Sequence, residues 1–426
     1  MLNGKDGQSN FSFFTLLFSG IYVQFSGRLF VAELLFFVVF LSMVIRGSLQ
    51  HHLLHSKLVI AINLLILALL GQIISDVYRN SENQYFIKGS LLIFFTIVNL
   101  IVIAKIVDKK LNRYLVVVVL YSISSMTSYV IQPQIFEDAS PWKFGFGYPI
   151  TAIFFAALTY KRQLKPQTIL ALSLLLAVVD FIFGARNLAL VTIFTGVKSF
   201  ISRKGQLEYL SKGGSENFDK KVQSKTRQST LGLFVLVVIV GSLVFFGYKS
   251  AVTNGLLGSE AELKFNQQTS TNTNLLFTSR SEVFSQFIAI RSSPLVGHGS
   301  YAPLTAEIRE KLLPWLIENR LQTNLIQLES GTRYVIPVHS GIFGFWVWFG
   351  ILSVPFFIYT FKLAFAVVRT KRSSPIIYYF AILICWDILF SPFGMYARMQ
   401  YPITLIGMLL FSEMGKGMPN EKRSNR

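Results

Sequence analysis

The sequence predicts an all-α polytopic membrane protein of about 12 transmembrane helices, with one large extracytoplasmic loop containing short helices. Three observations predict it. Of 426 residues, 52% are hydrophobic and only 14% charged, more apolar surface than a soluble domain could hide. The apolar residues come in runs that approach the ~20 residues needed to cross a ~30 Å hydrocarbon core. Lysines and arginines fill the short gaps between those runs and favour alternate gaps, the asymmetry that orients membrane helices.

The runs lie near residues 11–25, 29–45, 58–78, 91–107, 114–131, 147–160, 168–184, 187–201, 231–247, 340–361, 375–392 and 402–411. One set of alternate loops carries Arg46 and Lys57, then Lys109, Lys110 and Arg113, then Lys161, Arg162 and Lys165. It continues with the basic segment 202–229, with Arg369, Lys371 and Arg372, and with the tail KGMPNEKRSNR. The other short loops hold only Arg28, Arg79, Lys88, Lys143, Arg186 and Arg398. The rich side is cytoplasmic by the positive-inside rule, and both termini are expected there. The start, MLNGKDGQSN, has one lysine and no small-residue cleavage site, so the first run is expected to stay as a span. A formal charge of +19 is then explained by topology, and no nucleic-acid partner is expected.

Three stretches follow. Residues 1–247 form an N-terminal bundle of about nine spans with a cytoplasmic loop at 202–229. Residues 248–338 form the extracytoplasmic loop, and 339–426 the C-terminal helices and tail. Reporter fusions at Gln206 and Ser373 are expected to read cytoplasmic and one at Ser270 external. A cytoplasmic reading at Ser270 would put every candidate site residue in the wrong compartment.

The large loop contains an amphipathic stretch from Thr305 to Leu328, with Thr305 placed to cap and Glu307 in the first turn. Ile308, Leu312, Trp315 and Leu316 share a face, with a kink expected near Pro314. Two readings are open: a helix lying at the membrane surface, or one packed on the bundle.

Cys385 is the single cysteine, which excludes an intramolecular disulfide and a cysteine-based metal site. His51, His52 and His55 lack a nearby carboxylate and read as a solvated loop, not a metal site. Asp76, Asp180 and Asp387 lie in or near spans, as helix-end acids or members of buried pairs. Arg186 stands in FGARN between two nearly touching runs; it is either a functional cation or one that snorkels or pairs with Asp180. Arg280 and Arg291 are eleven residues apart, three helical turns, so both can face one way. Gly297 and Gly299 in PLVGHGS permit a tight turn and close backbone approach to a ligand; His298 between them reads as a turn residue. His339 opens HSGIFGFWVWFG, where half-desolvation makes an imidazole's charge sensitive to its neighbours; a structural interface histidine is the other reading.

The order of these motifs resembles the O-antigen ligase and polymerase superfamily of bacterial envelopes. The matching elements are an arginine at a tight outer turn (GARN), Ser279–Arg280 running into PLVGHG, a large external loop, and a histidine opening a Gly-containing span. The resemblance covers residues 170–360. Phe284 is the nearest candidate for an aromatic that usually follows the loop arginine, and Ser340 stands where Asn often follows the histidine. The segment between Gly299 and His339 is on the long side.

The resemblance implies a metal-independent glycosyltransferase without a cofactor, at the outer face of the bacterial cytoplasmic (inner) membrane. Its donor would be an undecaprenyl-diphosphate-linked glycan and its acceptor a sugar hydroxyl. His339 and Arg280 would be catalytic, with Arg186, Arg280 and Arg291 holding the pyrophosphate. Membrane lipid is an implied partner, with a chain-length regulator and a flippase of the same pathway. Three activities are compatible: polymerisation of glycan repeats, ligation of finished O-antigen to lipid A-core, and transport of a lipid-linked oligosaccharide. The last usually brings internal repeats and interrupted helices in both halves, and no such repeat is visible.

Overall fold

A computed structural model describes residues 13–24, 28–48, 56–133, 137–138, 140–161, 164–211, 246–247, 249–255, 262, 265–266, 282–318, 335–370, 373–394 and 396–414. Apolar runs become helices wherever no turn residue interrupts them. They are α1 (Val31–Ile45), α2 (Ser56–Tyr78), α3 (Asn83–Val107), α4 (Leu111–Ile131), α5 (Gly147–Tyr160), α6 (Pro166–Ile182) and α7 (Arg186–Ser211). After them come α8 (Glu282–Ser292), α9 (Ala306–Glu318), α10 (Gly341–Phe349), α11 (Val354–Arg369), α12 (Pro375–Phe390) and α13 (Ala397–Met414). Among the described residues four helices are long and apolar enough to cross a membrane: α2, α3, α4, and α11 with the turn that leads into it, Ile351–Arg369. The protein is thus a helical protein with membrane-spanning segments.

Polarity is inverted relative to a water-soluble bundle. Glu33, Gln72, Asp76, Asn99, Asp180 and Arg398 are buried, whereas Val38, Ile74, Leu175, Val178 and Ile182 are exposed on the helix flanks. Lipid accepts the apolar flanks and forces polar groups to find partners inside. Two of the buried groups show this. Asp180 accepts from Trp142 Nε1 and Thr192 Oγ1, each at 3.0 Å. Arg398 and Glu33 form a buried ion pair at 2.8 Å.

Two expected spans are built otherwise. The apolar stretch near 11–25 ends in a short antiparallel hairpin, β1 (Tyr22–Gln24) with β2 (Arg28–Phe30), in which Tyr22 faces Phe30. A continuous helix is stopped at Ser19–Gly20, where the chain is pressed onto α4. Gly20 N donates to Ser124 Oγ at 2.7 Å, and a Cβ on Gly20 would lie 2.0 Å from Ser124 O. The expected span 340–361 is broken at Gly350 into α10 and α11, joined by a 3₁₀ turn at Ile351–Ser353. At nine residues α10 is about 14 Å long, too short to cross a bilayer. The expected span 231–247 falls almost wholly outside the described residues.

One apolar core runs through all three stretches of chain, including Ala289, Ile290, Ile308 and Ile336 of the segment 248–338. α9 belongs to this packing. Ile308 and Leu312 are buried, and Trp315 stacks on Phe284 of α8 at 4.0 Å between centroids. Of the two readings of the amphipathic stretch, the described part, Ala306–Glu318, packs on the bundle; the remainder to Leu328, with the side chain of Leu316, lies outside the described residues.

Candidate functional site

The site is assembled on the broken helix. Ser340 caps α10: its Oγ accepts from Phe343 N at 3.2 Å and donates to Ile388 O of α12 at 2.8 Å. A helix end leaves carbonyls unpaired, and here the PLVGHG loop supplies the donors. His298 N donates to Val347 O at 2.8 Å and Gly299 N to Trp348 O at 3.0 Å. Across the break, Ile351 N donates to Leu295 O at 3.1 Å.

This fit demands glycine. Gly297 (φ 84°), Gly299 (φ 89°) and Gly350 (φ 72°) all occupy the left-handed region. A Cβ on Gly297 would lie 2.7 Å from Gly350 N, and one on Gly350 would lie 2.1 Å from Leu295 O. The close backbone approach read from Gly297 and Gly299 is therefore to the protein's own chain at the helix break.

A polar clamp from α2 holds the loop. Asp76 accepts from Ser300 N and Ser300 Oγ, each at 2.6 Å, and from Gln72 Nε2. Arg79 donates to Gly297 O at 2.9 Å and Ser293 Oγ at 2.6 Å. Ser75 donates to Trp348 O at 2.7 Å. The sequence left Asp76 open and counted Arg79 only toward topology. Their spacing at one helix end, Asp76 and Arg79 a turn apart, is a signal that could have suggested a shared role, though not the partner loop.

His298 has a structural place. Its Nε2 lies 2.8 Å from Ala289 O and 3.1 Å from Ser292 Oγ. A carbonyl can only accept, so Nε2 carries the hydrogen and closes the end of α8. Burial pushes its pKa below the usual histidine value; the bond to Ala289 opposes this and the Arg79 charge adds to it.

His339 is half-buried on the extended segment that precedes Ser340. That segment is held by Ile336 N donating to Ala302 O at 3.0 Å. The start of α8 docks beside it, because Ser285 Oγ and Gln286 Nε2 both donate to Pro337 O at 3.3 Å. One residue, Val338, separates this contact from His339. Arg280 itself lies outside the described residues, as do His51, His52 and His55; Arg280 is two positions before the first residue of α8.

The other arginines are placed differently. Arg291 is exposed in the last turn of α8, six residues and about 9 Å along the axis from Ser285. It shares a face with Phe287, which packs on Phe343 at 5.0 Å. Arg186 opens α7 directly after a left-handed Gly184 and the Ala185 N bond to Asp180 O at 2.8 Å. Asp387, the third acid in the spans, accepts from Gln400 Nε2 at 2.9 Å and ties α12 to α13. Among the described residues no cluster of His, Cys, Asp and Glu could hold a metal ion.

Fold and site together define a class: a helical membrane protein in which a polar loop closes one end of a short apolar helix and a half-buried histidine precedes the other. No protein family, curated protein or solved structure matches the chain.

Proposed function

We propose that the chain is a membrane glycosyltransferase that polymerises glycan repeats from an undecaprenyl-diphosphate-linked donor at the outer face of the cytoplasmic membrane. The observation that carries this reading is the docking of α8 on the Pro337 carbonyl through Ser285 and Gln286, two positions before His339. In the proposed reaction an acceptor hydroxyl attacks the anomeric carbon of the donor sugar. The bond from that carbon to the diphosphate oxygen breaks, and the diphosphate leaves with the electron pair. His339 takes the hydroxyl proton. Guanidinium groups of Arg280 and Arg186, with Arg291, neutralise the charge gathering on the leaving group.

Planar bidentate contact separates arginine from lysine at such a site. Arg280→Lys and Arg186→Lys are each expected to lower transfer by about tenfold or more while the protein still accumulates in the membrane. Polymer of normal length from both variants would reduce these residues to topology anchors. Glycan gels of a deletion strain separate the sibling activities. Single-repeat glycans mark a polymerase, and undiminished lipid-linked polymer missing from the core marks a ligase.

A transporter of lipid-linked oligosaccharide is the second reading, favoured by the interrupted helix at Gly350. Broken helices are common at transporter binding sites. Movement of donor across proteoliposomes without formation of a glycosidic bond would select it.

A further inference from the structure

Away from His339, the structure gathers cations along a second line. Lys88, on the early part of α3, holds its Nζ 4.0 Å from the centroid of the Tyr301 ring. Arg28, on β2, lies over Tyr22 at 4.9 Å. Both side chains are half-buried, and Arg28 is near enough for its charge to act on Lys88. The Arg28 carbonyl accepts from Arg398 Nη2 at 2.6 Å, which brings a third cation to the line.

Only the third cation is neutralised. Glu33 takes Arg398 at 2.8 Å and also accepts from Phe30 N at 3.0 Å. The other carboxylates of this region are engaged elsewhere: Asp76 with Ser300 and Gln72, Glu137 with Tyr396 Oη at 2.9 Å. Among the described residues no carboxylate pairs with Lys88 or Arg28. Two half-desolvated like charges raise the energy of the empty protein, and a bound anion would remove that penalty.

α1 begins three residues after Arg28, and α13 begins one residue before Arg398, so two helix starts lie on this line; their first N–H groups are already paired, Phe30 N with Glu33, Val31 N with Ile21 O and Ala397 N with Gly394 O. Asn99 of α3 donates to Arg398 O at 3.0 Å, which fixes the start of α13 against the middle of α3. Lys88 is eleven residues earlier on α3, about 16 Å along its axis. The cations therefore form a strip running down the bundle from the head of α3 toward its middle.

We propose that Lys88 and Arg28 form a binding site for the phosphate group of a membrane-borne lipid, with Tyr301 and Tyr22 as its walls. A strip that descends along the helices suits a headgroup attached to acyl or prenyl chains. Two lipids offer this chemistry, an anionic phospholipid and a polyprenyl diphosphate. The site does not depend on the glycosyltransferase reading, and its test is a binding measurement.

The experiment uses the full chain, delipidated in neutral detergent. Phosphatidylglycerol and undecaprenyl diphosphate are added separately, with diacylglycerol as the uncharged control. Retention is read by native mass spectrometry and stabilisation by the thermal midpoint. Wild type should retain at least one phosphate-bearing lipid and melt higher with it. The Arg28→Gln/Lys88→Gln double variant should lose about tenfold or more in apparent affinity, the scale of one lost charge-assisted contact. Lys88→Arg should keep it. Without lipid the double variant should melt no lower than wild type, because the repulsion is gone; a cation that merely braces the fold would give the opposite. Loss confined to one lipid assigns the source, and loss with both assigns phosphate in general. Equal retention of both lipids by wild type and the double variant overturns the site. Should the double variant fail to accumulate, Lys88→Gln against Lys88→Arg carries the same comparison. Transfer assays on His339 variants fail or succeed independently of every one of these outcomes.

Discussion

Replacing His339 with alanine should cut glycan transfer by about 10²–10⁴-fold, the usual contribution of a general base, without displacing the lipid-linked donor. The expectation rests on position. His339 is half-buried, one residue before the cap of α10 and two after the Pro337 carbonyl that anchors α8. The cap belongs to Ser340, so removing the imidazole leaves the ties of α10 to α12 in place. His298→Ala is the informative contrast. That ring closes α8 through Ala289 O, and its loss should cost about 0.5–1.5 kcal/mol of stability with little effect on turnover. The assay is transfer by purified protein with lipid-diphosphate glycan, in excess chelator, where activity is expected to persist. Near-wild-type turnover by His339→Ala would remove the base; activity lost on chelation and restored by metal would remove the mechanism.

The helices were legible because lipid leaves few alternatives for an apolar run. α2, α4 and α6 begin within three residues of where hydropathy places them. Three features were not legible. The hairpin at Tyr22–Phe30 lies where apolar residues continue on both sides, and only Ser19–Gly20 marks the end of the helical stretch. The break at Gly350 lies inside a continuous apolar run, and its cause is 55 residues away, in the Leu295 carbonyl that occupies the space a side chain would need. Local pattern cannot report such a contact. The same holds for the clamp: Asp76 was visible as an acid near a span end, but its partner Ser300 is 224 residues distant. Ser340 is easier to understand in retrospect. Serine is a good N-cap residue, and its Oγ accepts from Phe343 N as the start of α10 requires.

Gly350→Ala should be among the most damaging single methyl additions at the described glycines. The residue has φ 72° and ψ −170°, a region essentially restricted to glycine that costs an alanine about 1–3 kcal/mol. Its Cβ would also fall 2.1 Å from Leu295 O and 2.7 Å from Val296 C, backbone against backbone with no side chain able to swing away. Relief requires the PLVGHG loop to lift from the end of α10, which breaks the bonds from His298 N, Gly299 N and Ile351 N together. Overpacking of this kind adds about 1–3 kcal/mol, so the total loss is about 2–6 kcal/mol. Gly184→Ala supplies the control. Its φ is 78°, yet nothing lies within 4 Å of the added Cβ, so only the conformational cost of about 1–2 kcal/mol applies. Membrane accumulation and thermal midpoint in detergent measure both variants side by side. Equal losses would mean that the loop does not bear on the helix break; a much larger loss at Gly350 places the break under the control of residues 294–300.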